Sequence, residues 1–140
     1  MQRTFVILKP DALEQDLFRR IHDELAALGL KLGDWLVMQR MSEHLVRKHY
    51  ARYADEPFFP DILAYMTRGP CAIAVWTGED AVAKVRALVG ATRPDQADPK
   101  SLRGRYGRVV DGRIENVIHA AATPEEAAAE IALFFDPHAG

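Results

Sequence analysis

A single cysteine, Cys71, is all the thiol chemistry this 140-residue chain has, which excludes an internal disulfide and any cysteine-based zinc site. Its setting, Cys71-Ala72-Ile73-Ala74-Val75-Trp76, reads as a buried strand thiol, and a reducing cytoplasm fits it. Long apolar runs are missing too. None approaches the roughly 20 residues that span a bilayer, and the N-terminus enters a β-rich segment within a few residues instead of presenting the apolar core of a signal peptide. A cytoplasmic protein with no membrane partner is expected. Repeats, low-complexity tracts and linkers are also absent, so residues 1–140 read as a single domain. Apolar residues at 49% and charged residues at 27% are enough to build a packed core and argue against a disordered chain.

The formal net charge is only −2, but its distribution is uneven. Between Lys84 and Arg113 stand eight basic residues against Asp95, Asp98 and Asp111. A local basic block in an otherwise acidic chain suits a compact anionic ligand. A long nucleic acid would favour a broader basic face, so stable nucleic-acid binding is not expected. The plainer alternative is a solvated charged loop.

Periodicity places the elements. Arg3–Lys9 and Leu32–Arg40 read as strands. Phe18, Ile21, Leu25 and Leu28 fall at helical spacing before Gly29. Ser42 caps a short helix carrying Leu45, Val46 and His49, and Pro57 opens another through Ile62, Leu63 and Met66. Cys71–Trp76 is a buried-strand run, and Asp80–Val89 a helix with Val82, Val85 and Leu88 or Val89 inward. Residues 90–104 read as loop, and Asn116–His119 as the last strand. Thr123-Pro124-Glu125-Glu126 then supplies an N-cap, a proline at the first helical position and a glutamate three residues after the cap. That helix turns Ala127, Ile131 and Phe134 inward. The order matches an α+β, ferredoxin-like β-α-β-β-α-β sandwich, an antiparallel sheet covered by helices.

Three features point to chemistry. His119 ends a β-type run just before a strong helix start. Lys9 closes an apolar strand at Leu8-Lys9-Pro10-Asp11, and an arginine-rich loop lies between them in sequence. A histidine facing a lysine and arginines suggests a nucleophile that accepts phosphate, because phosphoryl transfer is mostly positioning and charge stabilisation. A neutral imidazole needs no base to prepare it for attack. Glu130 borders the inward face of the last helix and can orient the ring, although by itself it also reads as an exposed helix glutamate. Phe58 and Ile62, one helical turn apart, can hold a flat base by stacking, which tolerates every base.

The segments R-T-F-V-I-L-K-P-D-A (3–12), H-Y (49–50), P-F-F (57–59), G-A-T-R-P (90–94), L-R-G (102–104) and N-V-I-H (116–119) together resemble the nucleoside diphosphate kinase family, from Arg3 to about Pro137. The resemblance implies a ping-pong kinase that passes the γ-phosphate of ATP or another nucleoside triphosphate to a nucleoside diphosphate through a phosphohistidine on His119. It implies Glu130 as orienting partner and Lys9, Arg86, Thr92 and Arg103 as phosphate clamp. Asn116 would contact ribose and terminal phosphates, Tyr50 would stand near the histidine, and Val110 would form the other wall of the base slot. Mg2+ is expected on the nucleotide phosphates with few protein ligands, Asp55 being a candidate for a water-mediated contact. Homo-oligomers are the family habit.

The chain departs from the pattern in three places. Ala120-Ala121-Ala122 follows the histidine where the family has glycine, serine and aspartate, and alanine at 121 removes a hydroxyl. Residues 104–115 are about three residues longer than the common form, which unsettles Val110. The chain also closes soon after Phe135, short of the tail of many relatives. A weakened nucleotide-binding scaffold of the same fold is the alternative these alanines suggest. An RNA- or effector-binding ferredoxin-like module would need exposed sheet aromatics and a broad basic face.

Overall fold

A computed structural model describes residues 1–135; the last residues of the family resemblance, Asp136 and Pro137, lie outside them. The chain runs β1 (Gln2–Leu8), α1 (Pro10–Glu14), α2 (Phe18–Ala26), β2 (Lys31–Met38), α3 (Glu43–His49), α4 (Phe59–Met66), β3 (Cys71–Gly78), α5 (Ala81–Val89), α6 (Leu102–Tyr106), β4 (Arg108–Val110), β5 (Arg113–Glu115), β6 (Ile118–Ala120) and α7 (Pro124–Phe135). One sheet has the order β2-β3-β1-β6 with every pair antiparallel, the ferredoxin-like arrangement. A small hairpin, β4–β5, stands apart.

Alternation along β1 divides the core. Val6 and Leu8 face one cluster with Ile21, Leu25 and Val85, under α2 and α5. Phe5 and Ile7 face the other with Val46, Phe59 and Met66, under α3, α4 and α7. Register then assigns β6. Ile118 lies opposite Leu8 and Ala120 opposite Val6, while His119 lies opposite Ile7. His119 therefore projects to the second face, and its two neighbours are pinned in the first.

The caps form as their chemistry dictates. Ser42 Oγ accepts from Leu45 N at 3.2 Å. Thr123 Oγ1 accepts from Glu126 N at 3.0 Å, and the Glu126 carboxylate reaches back to Ala122 N at 3.1 Å. Three elements depart from the sequence expectation. α1 and α6, five residues each, are too short to show a helical period. Residues 108–115, read as part of a longer-than-usual segment, fold as the β4–β5 hairpin around Asp111-Gly112, both at positive φ. That hairpin carries Val110, half-exposed in register with Arg113, and Arg113 pairs with Asp61 of α4 at 3.3 Å.

Candidate active site

The site lies where β6, the β1–α1 junction and α7 meet. The sharpest local feature is the turn before β6. Ile118 N donates to Asn116 O at 2.7 Å, closing a γ-turn around Val117, whose φ is +60°. Such a φ is strained for a β-branched residue. Both polar groups of Val117 are tied down. Its amide donates to Asp11 Oδ2 at 3.2 Å and its carbonyl accepts from Lys9 N at 2.8 Å. Asp11 is fully buried and also accepts from the Tyr65 hydroxyl at 2.6 Å.

His119 Nε2 lies 2.8 Å from Glu130 Oε2. Burial first, then the charges of Lys9 and Arg103, holds the His119 imidazole well below its ordinary pKa, so it is neutral at pH 7. Burial pushes the Glu130 carboxyl upward. His49 was not singled out from the sequence, yet its ring stands perpendicular to that of His119 with centroids 4.4 Å apart. Its side chain is only 2% exposed, and its Nδ1 is 3.6 Å from Glu130 Oε2. Burial, with His119 beside it, lowers His49 to about 3. Tyr50, the residue the sequence favoured, packs edge-on against His49 at 4.6 Å, and its hydroxyl points to Met66 Sδ at 3.8 Å.

The cations gather around β6. Lys9 is buried, and its Nζ donates to Asn116 Oδ1 at 2.7 Å, while Asn116 Nδ2 donates to the Thr92 carbonyl at 3.0 Å. Burial chiefly, then Arg103, brings Lys9 down to about 7 against the opposing pull of Asp11. Arg103 donates to Ile118 O at 2.7 Å and Gly90 O at 3.2 Å, so it braces the strand of the histidine from below. Gly90, at φ +89°, gives Arg103 that carbonyl, and a Cβ there would collide with Ser101. Arg86 donates to Ala120 O at 3.3 Å but is otherwise exposed, as is the Thr92 side chain.

The structure thus joins His119, Glu130, Lys9, Asn116, Arg86, Arg103 and the Thr92 backbone by contacts around β6. On α4 the two phenylalanines divide. Phe59 is 3% exposed and belongs to the core, while Phe58 is 46% exposed one turn from Ile62. Asp55 lies exposed just beyond the α3 region. Sequence reasoning missed His49, Asp11 and Tyr65. The H-Y and K-P-D segments already contained the first two. The pairing of Asp11 with a tyrosine 54 residues away has no local signal.

An antiparallel ferredoxin-like sheet here presents an imidazole paired with a carboxyl group amid a lysine and two arginines, a histidine-centred cationic site. A nucleoside diphosphate kinase family model matches residues 2–139. A nucleoside diphosphate kinase of Thermus thermophilus is 41% identical over 137 residues, spanning 98% of this chain and 97% of that protein. One of Natronomonas pharaonis is 43% identical over 136 residues, covering 96% and 86%. Among solved structures, a halophilic nucleoside diphosphate kinase from Halobacterium salinarum in complex with CDP is similar with a TM-score of 0.89 at 40% identity, over 98% of this chain and 89% of that one. The chain belongs to the nucleoside diphosphate kinase family.

Proposed function

We propose that this chain is a nucleoside diphosphate kinase working by a ping-pong mechanism through a phosphohistidine on His119. The observation that carries the reading is the 2.8 Å contact of His119 Nε2 with Glu130. A carboxylate there accepts a hydrogen bond from Nε2–H, which keeps the ring's single proton on Nε2 and leaves the lone pair on Nδ1, free to attack. Nδ1 would form a bond to the γ-phosphorus of a nucleoside triphosphate as the bond from phosphorus to the bridging oxygen breaks, and the diphosphate leaves. A second nucleoside diphosphate then takes the phosphoryl group by the reverse route.

Lys9, Arg86 and Arg103 would share the charge of the transferred group, two as planar donor forks and one as a point charge. Thr92 and Asn116 add neutral donors. Phe58 and Ile62 would grip the base from one side and Val110 from the other. The pairing of Arg113 with Asp61, next to Ile62, supports that placement. Glu130, His49 and His119 offer a ligand set dominated by imidazole, unsuited to a hard cation. Magnesium would therefore arrive on the nucleotide phosphates, where it shields their charge.

The alanines after His119 do not favour a silent scaffold. Ala120 and Ala121 are buried parts of the fold, with Ala121 N on Phe5 O at 3.1 Å, and the imidazole–carboxylate pair is intact beside them. Self-association is supported by β2, an edge strand exposing Trp35, Leu36 and Val37. A cytoplasmic setting is consistent with the free buried Cys71. Among the described residues no helix is long and apolar enough to cross a membrane.

The test is incubation with magnesium and γ-labelled ATP alone. An acid-labile, base-stable phosphoprotein that GDP discharges as labelled GTP is expected, and His119→Ala should form none. Label that persists in His119→Ala would sink the mechanism.

A further inference from the structure

The environment of Glu130 contains more ligand capacity than orienting one ring requires. Its Oε2 lies 2.8 Å from His119 Nε2 and 3.6 Å from His49 Nδ1. The three donor atoms of His49, His119 and Glu130 all fall within 4.8 Å of one another. Two buried polar atoms in this small space have no hydrogen-bond partner among the described residues: His49 Nδ1, on a side chain 2% exposed, and Glu130 Oε1. Orphaned buried atoms are rare and call for an occupant.

We propose that His49, His119 and Glu130 form a binding site for a transition-metal ion of the zinc class, and that filling it silences His119. Tetrahedral zinc with bonds of about 2.0–2.1 Å holds its ligand atoms roughly 3.3 Å apart. Two of the three donor separations, 2.8 and 3.6 Å, bracket that spacing, and the third, between the two imidazoles, lies within 4.8 Å, so the rings close by at most about 1.5 Å to surround an ion. Two neutral imidazoles and one carboxylate suit zinc, nickel or copper, and not magnesium. His119 and Glu130 keep side-chain exposures of 18% and 13%, which leaves the ion a way in. Lys9 and Arg103 oppose a cation here, so the site is weaker than a structural zinc centre, as a reversible inhibitory site must be.

The silencing follows from the tautomer. A metal on Nε2 takes the lone pair at that nitrogen, and the ring's one remaining proton moves to Nδ1. The nitrogen that would attack phosphorus then has no free pair. The same ion occupies Glu130, so the carboxylate can no longer draw the proton back. This regulatory role rests on His119 being the phosphate acceptor; the metal site itself does not.

The test begins without nucleotide. Co2+ titrated into the protein should give a visible d–d absorption at one ion per chain, which Zn2+ bleaches by displacement. Outer-shell partners alone are worth about 10–100-fold in metal affinity, so loss of a direct ligand should weaken binding at least tenfold. His49→Gln and Glu130→Gln are both expected to do so, and His44→Gln, on an exposed face of α3, should not. Single-turnover labelling by trace γ-labelled ATP should then fall when zinc is bound and recover with chelator. Absence of the absorption, or equal affinity in His49→Gln and Glu130→Gln, would overturn the site. Undiminished labelling at saturating zinc would overturn the silencing. A protein that never labels would remove the kinase reading while the cobalt titration still decided the site.

Discussion

Asp11 holds Val117 in place: a fully buried carboxylate accepts, at 3.2 Å, the amide of a residue whose φ is +60°. The two are 106 residues apart in sequence, and between them they fix the turn from which β6 and His119 emerge. Strain of this kind persists only where surrounding contacts overdetermine it. Here they are Asp11, Tyr65 and the Lys9 amide. Asp11→Ala leaves the Val117 amide and the Tyr65 hydroxyl without their acceptor, at a cost of about 1–3 kcal/mol. The denaturation midpoint should fall accordingly, and the rate of phosphoenzyme formation should fall further than the folded fraction does. Asp11→Asn, which keeps one acceptor, should lie between. A rate that simply tracks the folded fraction would show that the turn does not position the histidine.

Glu130→Gln preserves shape and removes charge. The glutamine amide can donate to Nε2 and so favour the ring proton on Nδ1, the wrong tautomer for attack. Phosphoenzyme formation should slow by about 10²-fold or more, with nucleotide affinity little changed. Rapid-quench labelling reads the first and equilibrium binding of a nucleoside diphosphate reads the second. A loss confined to affinity would place Glu130 in binding instead.

Ala121→Ser introduces a hydroxyl directly after β6. Glu130 Oε1 is buried with no hydrogen-bond partner among the described residues, and Ala121 is itself fully buried. If the new hydroxyl engages the carboxylate or the transferred phosphate, a hydrogen bond to a charged group, worth about 1.5–3 kcal/mol, should raise turnover by about tenfold or more. Unchanged turnover would mean that the surrounding backbone already compensates.

Stability should depend on acid through the same cluster. His49, lowered from 6.5 to about 3, and His119, also lowered, bind fewer protons folded than unfolded. Stability is then lost as pH falls from 6.5 toward 3. Glu130 and Asp11, raised by burial, bind more protons folded and work in the opposite direction as pH falls. His49→Phe removes one histidine contribution, so its melting midpoint should drop less than that of the parent between pH 6.5 and 4.5. Parallel midpoint curves would show that His49 does not carry this acid sensitivity.

What could be read in the sequence was what acts locally. The caps at Ser42 and Thr123, the inward Ala127 and the strand carrying Cys71 follow from spacing and side-chain chemistry within one element. The candidate phosphate residues were legible as a set because each sits in a short motif. Three things were not legible. α1, α6 and the β4–β5 hairpin are shorter than the window in which a period can be seen. Which of Phe58 and Phe59 enters the core depends on where α4 docks against the sheet. The interplay of Asp11 with Tyr65, and of His49 with His119 and Glu130, exists only once the chain has closed.

The pairing of Ile7 with His119 has a consequence for how defective molecules would behave. Lys9 lies two residues beyond Ile7, so the positions of Lys9 and His119 both depend on one three-residue ladder. A slip of β6 by a single position would send His119 to the opposite face of the sheet. A misregistered copy would be wholly inert instead of slow. Errors in folding would thus show up as a burst amplitude below one per chain, with the rate constant of the remaining molecules untouched. Titrating the burst counts correctly zipped strands.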